Sequence, residues 1–188
     1  QLLPHAATYF PEVFASIAGA RQSIEVELYR VIHPSQLASE LVDVRMERAD
    51  AGVSVTLVLD GVGGRGLQRA EADRWRRRGI RVCIFNPLEP HAVLRLGTRN
   101  HRKLVLVDGA TAFTGGMSVD DSFAHHASAP WRETMIRVEG PVVADMRNAL
   151  VTCATMCTPA GAPQPSMTHG ARIGSADAQY VVSTPHDR

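Results

Sequence analysis

Three runs of β-branched and apolar residues alternate with two stretches of helical periodicity: Ile24-Val26-Leu28, Val53 to Leu59, and Ile80 to Phe85. Strand alternating with helix restricts the chain to an α/β layer architecture with a largely parallel sheet. In the first run the apolar residues alternate with Glu25 and Glu27, which reads as a strand. Val53 to Leu59 is continuously apolar, the pattern of a strand covered on both faces. Pro34-Ser35 starts the first intervening helix, with Leu37, Leu41, Val44 and Arg48 at helical spacing and Gly52 at its close. The second runs from about Leu67 to Arg78 and ends at Gly79. Ahead of all these, Pro11 opens a short helix carrying Val13, Phe14, Ile17 and Ala18 on one face.

Beyond Phe85 the pattern changes. Leu104 to Val107 and Thr111 to Phe113 flank Asp108-Gly109, a strong hairpin signal. Thr134 to Val138 is a further short strand, and Pro141 begins a helix with Val143, Met146, Leu150, Cys153 and Cys157 at intervals of three and four. Residues 158–176, rich in Pro, Gly, Ala, Ser and Thr, form a linker, and Gln179 to Ser183 reads as a new strand after it. The 188 residues, 45% of them apolar, suffice for a core without staples. No apolar run approaches the roughly 18 residues of a membrane span. Cys83, Cys153 and Cys157 cannot all pair and include no Cys-x-x-Cys, so they read as small buried hydrophobes rather than a metal or redox site.

Three features have ordinary readings that outweigh their functional ones. Gly61-Val62-Gly63-Gly64-Arg65-Gly66 fits the dinucleotide pattern Gly-x-Gly-x-x-Gly, but the next strand ends Phe85-Asn86-Pro87 without the acidic residue that would hold a ribose. The basic stretch Arg74-Trp75-Arg76-Arg77-Arg78 reads as a solvated helix face with Trp75 inward. His125-His126 reads as a surface loop, since adjacent histidines do not readily face one metal.

Asn100-His101-Arg102-Lys103-Leu104-Val105-Leu106-Val107-Asp108-Gly109 is the informative stretch. Alternation along a strand puts His101 and Lys103 on one face. Of 20 basic residues Lys103 is the sole lysine, against a formal net charge of +1. An imidazole can attack phosphorus, and an ammonium can neutralise the non-bridging oxygens as charge builds. Asp108 falls in the turn, where a carboxylate accepts hydrogen bonds. Farther on, the glycines of Gly115-Gly116-Met117-Ser118 let backbone N–H groups approach an anion, and Ser118 adds a hydroxyl. These parts suit phosphoryl chemistry.

The spacing His101-x-Lys103-x4-Asp108-x6-Gly115-Gly116 resembles the signature of the phospholipase D superfamily. The opening from Leu2 to Tyr29, the tract from Asn100 to Met117, and Trp131-Arg132-Glu133-Thr134 with Arg137 to Pro141 are similar to the N-terminal half of bacterial cardiolipin synthases. The resemblance implies a mixed β-sheet flanked by helices, one repeat of an architecture that is normally two-repeat or homodimeric. Residues 1–157 would form this catalytic half, 158–176 the linker, and 177–188 the first strand of a second half.

The resemblance also implies phosphatidyl transfer without metal or other cofactor. His101 would attack the phosphodiester and form a phosphohistidine, Lys103 would hold the phosphate oxygens, and Asp108 would support the site electrostatically. Gly115, Gly116 and Ser118 would line the phosphate pocket, although the family often has Asn where this chain has Ser118. Phosphatidylglycerol would serve as donor and acceptor at the cytoplasmic face of a bacterial inner membrane. Hydrolysis by the same chemistry, a dimeric nuclease, and a non-catalytic phosphate-binding module are the alternatives. Val93, Leu94 and Leu96 interleaved with Arg95 and Arg99 favour a lipid surface over nucleic acid. The family builds one site from two His-Lys-Asp motifs, so the partner half is expected beyond Arg188 or from a second copy.

Overall fold

The computed structural model describes residues 1–32, 35–66, 69–87, 99–116, 118–123, 132–155, 157 and 171–182. Among them, seven strands form one sheet: β1 (Leu2–Leu3), β2 (Ser23–Leu28), β3 (Ser54–Asp60), β4 (Arg81–Phe85), β5 (Leu104–Val107), β6 (Thr111–Gly115) and β7 (Met135–Glu139). Their order across the sheet is β1-β7-β6-β5-β2-β3-β4. Four helices cover it: α1 (Ala6–Ala18), α2 (Gln36–Asp50), α3 (Arg69–Arg77) and α4 (Val142–Thr155).

The sheet is mixed rather than largely parallel. β2 pairs parallel with β3, and β3 with β4, as the strand–helix alternation demands. In the later part β5 lies antiparallel against β2 and the run β5-β6-β7-β1 is antiparallel throughout. The β5–β6 hairpin turns on Asp108 and Gly109, with φ of 53° and 62°, the left-handed pair that such a turn requires.

Ile24, Val26, Leu57, Val105 and Phe113 pack under α1, α2 and α3, together with Phe10, Leu41 and Trp75 from those helices. Val58, Cys83, Leu104, Leu106 and Ala112 pack on the other face against Val143, Met146 and Leu150 of α4. Ser35 caps α2, its side chain accepting from the Ala38 amide at 3.1 Å, and the two oxygens of Asp121 accept from Gln36 and Leu37. Trp75 is buried, and Arg76 and Arg78 pair with Asp73 and Asp50, so the basic stretch is a solvated helix face.

Three expectations change. α1 begins at Ala6, not at Pro11, which sits inside the helix. The carbonyl that loses its partner there belongs to Ala7, an exposed residue that water can serve. Glu25 and Glu27 do not face solvent: all six residues of β2 are buried, and these two carboxylates are paired with arginines under α4. Cys157 is joined to Cys83 by a disulfide that ties the end of α4 to β4, leaving Cys153 as the free, buried cysteine. Residues 177–182 pair with no strand of this sheet, and Tyr180 packs against the α4 side of its core. His125-His126 and most of the Arg-interleaved stretch (88–98) lie outside the described residues, as does most of the linker (158–170). No helix among the described residues is long and apolar enough to cross a membrane.

Candidate active site

The pairing register brings the C-terminal ends of β2, β3, β4 and β6 to one end of the sheet, with the N-terminal ends of β5 and β7. Ligands of open α/β sheets gather outside the carboxyl ends of the parallel strands. His101 and Lys103 lead into β5 at this end.

Lys103 is buried while His101 is exposed. The Lys103 ammonium lies 3.3 Å from His101 Nδ1 and donates to the His101 carbonyl at 3.0 Å. An ammonium can only donate, so Nδ1 is the acceptor and the neutral ring carries its proton on Nε2. The Tyr29 ring, just past β2, packs on the imidazole with centroids 4.5 Å apart, and Lys103 Nζ is 5.8 Å from the same ring centre. Partial desolvation of the exposed ring and the Lys103 charge hold the His101 imidazole below its ordinary pKa against the opposing pull of Asp60, which favours the neutral ring near pH 7. Burial likewise lowers Lys103, with the nearby Glu133 carboxylate pulling the other way.

Asp60, at the end of β3, is fully buried and organises the floor. One oxygen accepts from the amides of Val62 and Gly63 at 2.8 and 3.1 Å, and the other accepts from the Asn100 amide at 3.0 Å. The Arg99 guanidinium lies 3.6 Å away and donates to the Asn86 carbonyl at 2.9 Å. The glycine-rich loop is thus folded onto a carboxylate, and the two amides a dinucleotide phosphate would need are already engaged. Gly63 is required for packing, because a Cβ there would collide with the Tyr29 carbonyl.

By register Gly115 follows Thr114, the partner of Leu104, so Gly115 and Gly116 lie beside the entry to β5. Thr114 Oγ1 donates to the Lys103 carbonyl at 2.8 Å. A Cβ on Gly115 would strike the Thr134 and Met135 backbone, and one on Gly116 would strike the Glu133 carboxylate. Glu133 and the glycines therefore share one rim with Lys103.

Two expected residues are elsewhere. Asp108 ends β5 at the opposite edge of the sheet, roughly 16 Å along the strand from Lys103. Its carboxylate accepts from the amides of Arg21, Gln22 and Ser23, at 2.7 Å from Gln22. It anchors the α1–β2 connection instead of acting on the imidazole. Ser118 is buried and lines a small cavity with Tyr9, Phe10, Leu28, Leu41 and Val105. Tyr29, Asp60 and Glu133 are site residues that the motif alone does not reveal. Asp60, at the carboxyl end of a fully buried parallel strand, carried a readable signal.

The family model described as cardiolipin synthase, PLD-like domain, matches residues 13–149. A probable cardiolipin synthase of Bacillus subtilis is 32% identical over 146 residues, covering 76% of this chain and 29% of that protein. Cardiolipin synthase A of Pseudomonas syringae is 32% identical over 152 residues, covering 79% of this chain and 32% of that protein. The match thus spans about a third of the length of these relatives. Among solved structures, NucT from Helicobacter pylori has a TM-score of 0.65 at 12% identity, covering 84% of this chain and 96% of that one. Phosphatidylserine synthase from Haemophilus influenzae has a TM-score of 0.65 at 13% identity, covering 79% of this chain and 35% of that one. Sheet topology, the His101–Lys103 arrangement and the family match agree, and the chain belongs to the phospholipase D superfamily, within its cardiolipin synthase, PLD-like domain family.

Proposed function

We propose that this chain supplies one half of a phosphatidyltransferase site, with His101 as the nucleophile and phosphatidylglycerol as donor and acceptor at a membrane surface. The observation that carries the reading is the His101 imidazole at one end of the sheet with the Lys103 ammonium 3.3 Å from Nδ1, an arrangement that lowers the imidazole pKa and so favours the neutral ring. In the resting arrangement the ammonium occupies that lone pair. An entering phosphodiester draws the ammonium onto its non-bridging oxygens, which frees the ring nitrogen to attack. A P–N bond forms as the P–O bond to the departing glycerol breaks, and the alkoxide takes a proton from a general acid. The hydroxyl of a second phosphatidylglycerol then attacks phosphorus, losing its proton to that same group while the P–N bond breaks.

The general acid comes from a second His-Lys-Asp half, in the same protein or from a second copy of this chain. Both arrangements are kept because the fold fills 96% of NucT but only 35% of the longer phosphatidylserine synthase chain. With water as acceptor, the same steps are phospholipase D hydrolysis.

The test is turnover of phosphatidylglycerol vesicles by the protein at its full encoded length, following cardiolipin and glycerol, with His101→Ala and Lys103→Ala as variants. Both variants should abolish product while leaving the circular dichroism spectrum unchanged. Undiminished turnover by His101→Ala would overturn the nucleophile assignment. Cleavage of plasmid DNA in EDTA, lost in the same variant, would move the substrate to nucleic acid.

A further inference from the structure

The residues on either side of His101 are tied together by one buried carboxylate. On one flank Asn100 Nδ2 donates to Glu27 Oε1. On the other, Arg102 Nη2 donates to the same oxygen at 2.7 Å. The flanks also bond to each other, the Arg102 amide and Nε reaching Asn100 Oδ1 at 3.2 and 3.3 Å. Arg102 Nη2 continues to the Ala149 carbonyl of α4 at 3.2 Å. Glu27 itself has no exposure, and its other oxygen has no hydrogen-bond partner among the described residues.

A buried ion pair adds little net stability over an apolar replacement, since desolvation offsets attraction. What this one provides is geometry. A single carboxylate oxygen receives donors from the residues immediately before and after His101, and it is carried on β2, the strand that β5 pairs with. The imidazole itself is exposed, and among the described residues its ring contacts are Lys103 and Tyr29.

We propose that Glu27 is a positioning residue for His101, acting through Asn100 and Arg102 to fix the backbone that aims the imidazole. The inference rests on the reading of His101 as nucleophile. Glu25 supplies the control: it is equally buried on the same strand and paired with Arg147 at 2.6 Å, but it lies toward the Asp108 end of the sheet.

The experiment compares Glu27→Gln with Glu25→Gln in the protein at its full encoded length, measuring kcat and KM on phosphatidylglycerol vesicles beside urea unfolding. Both variants should lose stability. Glu27→Gln should also lose about 10- to 100-fold in kcat at unchanged KM, the cost of misplacing a reacting group by an ångström or less, while Glu25→Gln keeps its kcat within about twofold. If Glu27→Gln does not fold, Arg102→Lys stands in for it, because it keeps the charge but cannot bridge Glu27 and Asn100, and the same kcat loss is expected. Equal kcat in the Glu27 (or Arg102) and Glu25 variants overturns the proposal. Should the wild type show no turnover that depends on His101, the functional reading fails by itself. The positioning role is then decided by amide exchange. Faster exchange at Arg102 in the variant, with Val105 and Leu106 unchanged, supports it, and unchanged exchange at Arg102 overturns it.

Discussion

The Ser23 amide donates to Oδ1 of Asp108 at 2.9 Å, at the end of β5 farthest from His101. This bond and those from Arg21 and Gln22 give the motif aspartate a duty in holding the sheet, apart from the chemistry. Asp108→Ala should therefore lower stability by about 1–2 kcal/mol, a capping-type loss reduced by solvent screening. Activity per folded molecule should be unchanged. Urea unfolding and specific activity, measured on one preparation, check both halves.

Acid should reveal the same anchor. Burial alone would raise the Asp108 carboxyl, but the three backbone donors outweigh it and hold the group below its ordinary range. Its contribution is complete above about pH 4, the value in an unfolded chain, and is lost as pH falls through the lower folded value. The stability gap between wild type and Asp108→Asn should shrink across that acid window. A gap that stays constant down to pH 2 would contradict the anchor.

His101 should titrate below an ordinary histidine in NMR spectra of its imidazole. Partial desolvation is the first cause and the Lys103 charge the second, so Lys103→Met should raise the midpoint without restoring it fully. Asp60→Asn should move it the opposite way. A midpoint that ignores both substitutions would place the ring away from these charges.

Thiol counting tests the disulfide. Under non-reducing denaturation the protein should expose one alkylatable thiol, Cys153, and after reduction three. In the native state Cys153 should resist alkylation, because burial and the neighbouring Glu27 push its pKa up to about 12. Breaking a bridge between residues 74 apart should cost about 2–4 kcal/mol. Three free thiols without reductant would rule the bridge out.

The two glycines past β6 should behave differently when replaced by alanine. On Gly115 the new Cβ meets the Thr134 and Met135 backbone, which cannot move aside, and a loss of about 2–4 kcal/mol is expected. On Gly116 it meets only the end of the Glu133 side chain, which can rotate away for about 1 kcal/mol or less. The Gly116 variant should instead lower the Lys103 pKa further, as the carboxylate that supports the charged amine departs. Thermal unfolding separates the two, and NMR of the lysine reports the second effect.

Much of this architecture was legible in the chain because local patterning and turn chemistry agreed with it. Gly52 and Gly79 end helices with φ of 85° and 80°, and Asp108-Gly109 forms its hairpin as read. Facts that depend on distant partners were not legible. An alternation of Ile24, Val26 and Leu28 with two glutamates has the look of a strand with one wet face. Arg102 and Arg147, which make burial possible, lie 75 and 122 residues away. The aspartate of the motif was assigned to the site because spacing gives proximity in sequence only, and four extended residues carry it to the other edge of the sheet. Pairing between Cys83 and Cys157 was hidden for the same reason, since nothing local marks a strand and a helix end as neighbours.

The two carboxylates of β2 also bear on how the chain reaches its native state. β2 and β3 form early in synthesis, yet each buried charge on β2 is answered only by an arginine made much later, the last of them Arg147 in α4. Until α4 docks, closing that face would strand the Glu25 carboxylate out of water without its arginine, so a nascent or truncated chain keeps the centre of its sheet open. Assembly of the sheet and arrival of α4 are therefore one cooperative event, and a fragment ending before Arg147 should be captured by chaperones or proteases instead of folding.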